Sequence, residues 1–149
     1  MINLPAKAKI LVVDDNIQLL KLLELFINRE GYMAFAASNR EQALALADQQ
    51  EFDLLITDLI MPVKEGVETI LGFQKLHPLT RIIAMSGGGL CASAWNYLKI
   101  ARSLGVLRTL EKPFSKDELL ESVSRELAAG REAYGNICTS IVPGMVRKV

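Results

Sequence analysis

The residues best suited to chemistry are three carboxylates, one hydroxyl and one ammonium. Asp14 and Asp15 follow the apolar run Ile10-Leu11-Val12-Val13, and Asp58 follows Leu54-Leu55-Ile56-Thr57. Ser86 follows Arg81-Ile82-Ile83-Ala84-Met85, and Lys112-Pro113 comes soon after Val106-Leu107-Arg108-Thr109-Leu110. Carboxylates held close together repel and need a cation. All-oxygen ligation by few protein groups suits magnesium or manganese, completed by water and phosphate oxygens. Lys112 supplies a point positive charge for a phosphoryl oxygen. Ser86 supplies a hydroxyl donor, and the amide N–H groups around Leu59 and Ile60 offer more. In such surroundings a carboxylate can serve as the nucleophile toward phosphorus, giving an aspartyl phosphate without help from histidine or cysteine.

These groups share one placement: each lies at the C-terminal end of an apolar run. The Asp58 run does not alternate polar with apolar, which predicts a strand covered on both faces. Five strands are expected, at about Lys9–Val13, Met33–Ala37, Leu54–Asp58, Arg81–Met85 and Val106–Leu110. Helical periodicity fills the gaps. Leu19, Leu20, Leu23, Phe26 and Ile27 predict a first helix over about Ile17–Arg29, stopped by Gly31. Asn39 with Gln42 resembles a capping box and opens a second helix that buries Ala43, Leu44 and Ala47. A third starts near Gly66, presents Val67, Ile70 and Leu71 on one side and ends at His77-Pro78. The flexible run Gly87-Gly88-Gly89 precedes a fourth over about Ala92–Leu104. Ser115 with Glu118 opens a fifth, with Leu119, Leu120, Val123 and Leu127 on one face.

Five strands alternating with five helices predict a doubly wound α/β domain: a parallel sheet in flavodoxin-like order 2-1-3-4-5, with helices on both faces. That order sets strands one and three side by side. Asp14, Asp15 and Asp58 then converge where the winding reverses, the usual ligand position in such sheets.

One domain is the expectation for 149 residues, half of them hydrophobic. Residues 1–129 form that domain, and 130–149, with Gly130, Gly135, Pro143 and Gly144 and no sustained period, read as a C-terminal tail or the start of a linker. A formal net charge of zero gives no reason to expect nucleic acid or an anionic membrane as partner. No apolar run reaches spanning length, no signal-peptide pattern opens the chain, and Cys91 and Cys138 are too few for a disulfide framework. The expected compartment is the cytoplasm. His77, before Pro78 at a helix end, reads as structural or exposed, and Met61 and Met85 read as core. Trp95 and Tyr97 either pack or form part of an interaction face.

The set Asp14-Asp15, Asp58, Ser86 and Lys112-Pro113 on successive strand ends resembles the receiver domain of two-component response regulators, over about Lys7–Ala129. The resemblance implies that Asp58 is the phosphoacceptor. It also implies that Asp15, Asp58 and the carbonyl of Ile60 hold magnesium, with Asp14 acting on the metal largely through water. Ser86 and Lys112 match the hydroxyl and lysine that contact the phosphoryl group, and the Lys112–Pro113 bond is implied to be cis. Implied partners are a histidine kinase or histidine phosphotransfer protein and a target met by the fourth helix, fifth strand and fifth helix.

Three departures from the family pattern stand out. Thr109 takes the place of an aromatic switch residue. The segment between hydroxyl and lysine is longer, around Gly87–Leu90. Ile60 and Gly88, the positions that tune phosphate lifetime in this family, carry no polar side chain.

Two other readings compete. A phosphorylation-independent interaction module is kept open by Thr109. An aspartyl-phosphate phosphatase resembles this pattern but carries a second Asp two residues after the nucleophile, where this chain has Ile60. The receiver reading makes the protein a self-phosphorylating and self-dephosphorylating regulator, not a turnover enzyme.

Overall fold

The computed structural model describes residues 7–59, 65–87, 99–106 and 108–140, with side chains described to Arg131, Glu65 excepted. Ile60, Met61, Gly88, Gly89, Cys91, Trp95, Tyr97 and Leu107 lie outside the described residues, so the expectations attached to them are not addressed by it.

The strands are β1 (Lys9–Val13), β2 (Met33–Ala37), β3 (Leu54–Asp58), β4 (Arg81–Ser86) and β5 (Arg108–Glu111). Between them lie α1 (Ile17–Arg29), α2 (Arg40–Gln49), α3 (Glu65–Leu76) and the helical residues 99–103, here α4. The last helix is α5 (Lys116–Ser140). All strand pairs are parallel and the order is β2-β1-β3-β4-β5, the predicted 2-1-3-4-5.

The lack of alternation in the strands has a visible cause. Leu11, Val13, Leu55, Ile82 and Ala84 face one layer, packing against Ala43 and Ala47 of α2, Ile70 and Phe73 of α3, and Ala101 of α4. Their neighbours Ile10, Val12, Leu54, Ile56, Ile83 and Met85 face the other, against Leu20, Leu23 and Ile27 of α1 and Leu119, Val123 and Leu127 of α5. Each face therefore demands apolar residues, and the two demands interleave along each strand. Phe52 links Phe35 and Phe73 in the first layer, with ring centroids 5.3 and 6.3 Å away.

The helix ends follow local chemistry. Asn16, Asn39 and Ser115 accept from the amides of Leu19, Gln42 and Glu118 at 3.2, 2.8 and 3.0 Å. Gln42 reaches back to the amide of Ser38 at 2.8 Å, one residue before the cap. Gly31 and Gly105 close α1 and α4 with φ of 98° and 92°, backbone that favours glycine. His77 is structural: its Nε2 lies 2.6 Å from the Ala47 carbonyl, tying the end of α3 to α2.

Three expectations need correction. On α3 the buried apolar side chains are Ile70 and Phe73, whereas Leu71 is exposed; one residue past Ile70 turns about 100° off the buried stripe. Val106 does not belong to the fifth strand, described over Arg108–Glu111: its amide is taken by the Ala101 carbonyl, in the turn closing α4. The last helix does not end near Ala129 but continues to Ser140. A lone glycine costs a helix only about 1 kcal/mol against alanine. The strong helix formers around Gly130 carry the segment through it. Residues 141–149, the rest of the expected tail, lie outside the described residues. Among the described residues no helix is long and apolar enough to cross a membrane.

Candidate functional site

Strand register assembles the site. Val13 of β1 pairs with Thr57 of β3, so Asp14 emerges beside Asp58. Asp58 pairs with Met85 of β4, which brings Ser86 to its other side. Ser86 pairs with Glu111 of β5, and the Lys112 amide donates to the Ser86 carbonyl at 2.8 Å. The Lys112–Pro113 peptide is cis. Asp14, Asp58 and Ser86 are buried, and Asp15 is exposed. The five predicted side chains thus lie along one edge of the sheet, at the C-terminal ends of β1, β3, β4 and β5.

The acids converge. One carboxylate oxygen from each of Asp14, Asp15 and Asp58 lies within 4.8 Å of the others. Three hard oxygen donors at that spacing, one reachable from solvent, fit a magnesium-class ion that keeps several waters. Asp14 is fixed on one side by the Asn16 amide, which donates to its Oδ1 at 2.9 Å.

Lys112 is the main surprise. Its Nζ donates to Asp14 Oδ2 at 2.5 Å and to Asp58 Oδ2 at 3.2 Å, so it bridges two of the acids. Burial alone lowers the pKa of this lysine. The hydrogen bonds and charges of Asp14 and Asp58 outweigh burial and hold it above the ordinary lysine value.

A further positioning residue is Gly66, which the sequence marks only as a break before α3. A Cβ there would stand 2.2 Å from the Asp58 carbonyl oxygen and 2.6 Å from the Leu59 Cα. Only a bare backbone allows α3 to begin this close to the end of β3, so Gly66 sets the path of the chain beneath Asp58. The available signal was a glycine just inside a helix start, where propensity alone disfavours it.

Thr109, on β5, is half-buried and lines a groove of about 570 Å³ between β5 and α5, together with Arg108, Glu118, Glu121 and Arg125.

An open parallel sheet in this order, with acids at the switch point and a lysine just after the last strand, defines a receiver-type α/β domain. The profile of the response regulator receiver domain matches residues 10–124. The chain belongs to that family. It is 32% identical to sporulation initiation phosphotransferase F of Bacillus subtilis, over 80% of this chain and 93% of that protein. It is 35% identical to the transcriptional regulatory protein CpxR of Escherichia coli, over 77% of this chain but only 47% of that regulator. Among solved structures, a response regulator receiver protein from Pseudomonas putida superposes with a TM-score of 0.73 at 30% identity, covering 83% of this chain and all of that one. A receiver domain protein from Methanospirillum hungatei gives a TM-score of 0.78 at 24% identity, over 86% of this chain and 99% of that one, a likeness of fold.

Proposed function

We propose that this receiver takes a phosphoryl group onto Asp58 from a phosphohistidine of a histidine kinase or histidine phosphotransfer protein, in the presence of magnesium. The observation that carries this reading is the convergence of three carboxylates with Lys112 at the end of the central strand. A carboxylate oxygen of Asp58 attacks phosphorus as the P–N bond breaks. The bonding pair leaves with the imidazole nitrogen. Lys112, whose ammonium is already beside Asp58, stabilises negative charge on the phosphoryl oxygens, and Ser86 on the neighbouring strand offers a hydroxyl donor. Asp14, Asp15 and Asp58 would hold the ion, which would neutralise charge on the transferring group. The reaction is a single transfer followed by slow self-hydrolysis, so the protein acts as a regulator. The β5–α5 groove, with its charged rim, is part of the face offered to a downstream target.

The test is intact-mass analysis after incubation with magnesium and a small phosphodonor such as acetyl phosphate. A phospho-adduct on the parent protein that is absent from Asp58→Asn is expected, since an amide is a poor nucleophile. Phosphate mapped to another residue contradicts the assignment. Multiple turnover would favour a phosphatase, and no adduct at all would favour a phosphorylation-independent module.

A further inference from the structure

We propose that the outer side of β5 is a docking strand: an extended, cationic segment of a partner protein pairs with it as a sixth strand, in the groove between β5 and α5. The inference rests on the reading of that groove as part of the face offered to a target, and it names the chemistry of what docks there. Strand register carries it. The Lys112 amide donates to the Ser86 carbonyl, and Arg108 and Leu110 stand opposite Ile83 and Met85. In a parallel ladder, alternate residues bond to the same neighbouring strand. Arg108, Leu110 and Lys112 therefore turn their backbone groups toward β4, and Thr109 and Glu111 turn theirs outward. Both of these residues line the groove of about 570 Å³, and among the described residues their outward N–H and C=O groups have no partner.

The other outermost strand, β2, is closed by comparison. Its outward Ala34 amide is already held by the Asn28 side chain at 3.0 Å. A strand left open on its outer side is a template for another chain. An extended segment added there gains main-chain hydrogen bonds whatever its sequence. Charge selects the segment. Every basic group lining the groove is paired: Arg108 with Glu126, Arg125 with Glu121, and Lys112 with Asp14 and Asp58. Glu111 and Glu118, both exposed, have no such partner among the described residues. The groove therefore carries two uncompensated carboxylates and favours lysine or arginine on the incoming strand. A second copy of this chain fits less well, because it would set the acids of one groove against those of the other.

The experiment titrates the full chain into a fluorescent hexapeptide that alternates lysine and valine, read by anisotropy. A glutamate–valine peptide is the charge control. The lysine–valine peptide N-methylated at every residue keeps the charges and loses every backbone donor. The lysine–valine peptide is expected to bind and the glutamate–valine peptide is not. Combining Glu111→Gln with Glu118→Gln is expected to weaken binding roughly fivefold, the scale of two exposed ion pairs. N-methylation is expected to weaken it by about tenfold or more, the scale of two lost hydrogen bonds. Equal binding by the N-methylated peptide overturns the inference, because charge alone then accounts for the complex.

Amide hydrogen exchange, read by NMR with and without the lysine–valine peptide, separates this inference from the reading beneath it. The amides of Thr109 and Glu111 are expected to exchange more slowly in the complex. Resonance shifts along β5 and α5 without slower exchange at these two amides overturn strand pairing and leave the groove as the docking face. Shifts confined to the acidic strand ends around Asp58 overturn the groove as well. No binding, or equal binding of the two charge types, overturns the inference alone. Slower exchange at the same amides in the peptide-free protein as its concentration rises identifies a second copy as the occupant and overturns the cationic partner.

Discussion

The sheet carries an ion cluster at each of its two ends, and the described members differ in kind. At the C-terminal edge three carboxylates converge, and one ammonium bridges two of them. At the N-terminal edge a single carboxylate, Glu126 of α5, receives two guanidiniums. Arg81 from the start of β4 lies 2.7 Å from its Oε1, and Arg108 from the start of β5 lies 3.0 Å from its Oε2. Both oxygens of Glu126 are taken, and the arginines are fork-shaped donors suited to such pairing. The lower cluster is satisfied as it stands and ties α5 to two strands. Among the described residues the upper cluster is bridged by a lysine, a flexible point charge. A cluster tied across three elements fixes structure, whereas acids gathered at the strand ends of a switch point are placed to meet a ligand.

The largest expected effect comes from breaking the saturated cluster. Glu126 is 3% exposed, and Glu126→Ala strands two partly buried guanidiniums. Removing one partner of a buried pair costs about 3–5 kcal/mol, and the partial exposure of both arginines puts this case near the lower figure. Urea unfolding is the check. A loss under about 1 kcal/mol would mean that the lower cluster contributes little and that the contrast between the edges is mistaken.

Glycines sharpen the same comparison. At the upper edge, a Cβ at Gly66 meets backbone, which cannot give way without moving Asp58. Gly66→Ala is therefore expected to cost about 2–3 kcal/mol as an overpacked site and to weaken magnesium binding with it. At the lower edge, a Cβ at Gly130 meets only the stem of Arg81, at 2.8 Å. There the helix gains about 1 kcal/mol from alanine, and a flexible side chain absorbs the contact. Gly130→Ala is expected to be within about 1 kcal/mol of the parent. Equal losses in the two variants, by urea unfolding, would remove the distinction between backbone and side-chain neighbours.

The upper edge was legible in the sequence and the lower edge was not. Asp14, Asp58, Ser86 and Lys112 each end an apolar run, so a parallel strand order was enough to bring them together. The one-sided helix stripes and the asparagine and serine caps were equally visible, because they are local. Glu126, Arg81 and Arg108 are spread over three elements, and each alone reads as a solvated charge; only docking of α5 reveals them as one group. The bridging position of Lys112 was hidden for a related reason. Spacing placed the lysine near the acids but not which carboxylates it touches. The path of α5 past Gly130 was misjudged because the lost periodicity and the glycines at 130 and 135 were given the weight of a helix stop, without a glycine φ above zero to make one. Gly31 and Gly105 show that signature.

The smaller effects concern the surplus charge itself. At an effective dielectric near 20, each acid–acid pair at the spacing seen here costs Asp58 about 3–4 kcal/mol, and the ammonium offsets about 5. Among these four groups alone a net repulsion of about 1–2 kcal/mol remains. Asp58→Asn should accordingly stabilise the metal-free protein by about 1 kcal/mol, the opposite sign to Glu126→Ala and a familiar cost of a functional site. Salt gives the finest test. Asp15 is exposed, so part of the repulsion runs through solvent, where the screening length falls from about 30 Å at 0.01 M salt to about 3 Å at 1 M. The gain from Asp58→Asn is expected to shrink by about half, roughly 0.5 kcal/mol, between sodium chloride concentrations of about 0.01 and 1 M in the presence of a chelator. The Glu126→Ala loss should move less, because that carboxylate is paired and buried in the parent. Parallel urea titrations of both variants decide it. If the two respond to salt alike, the upper acids are not in surplus and the two edges do not differ in kind.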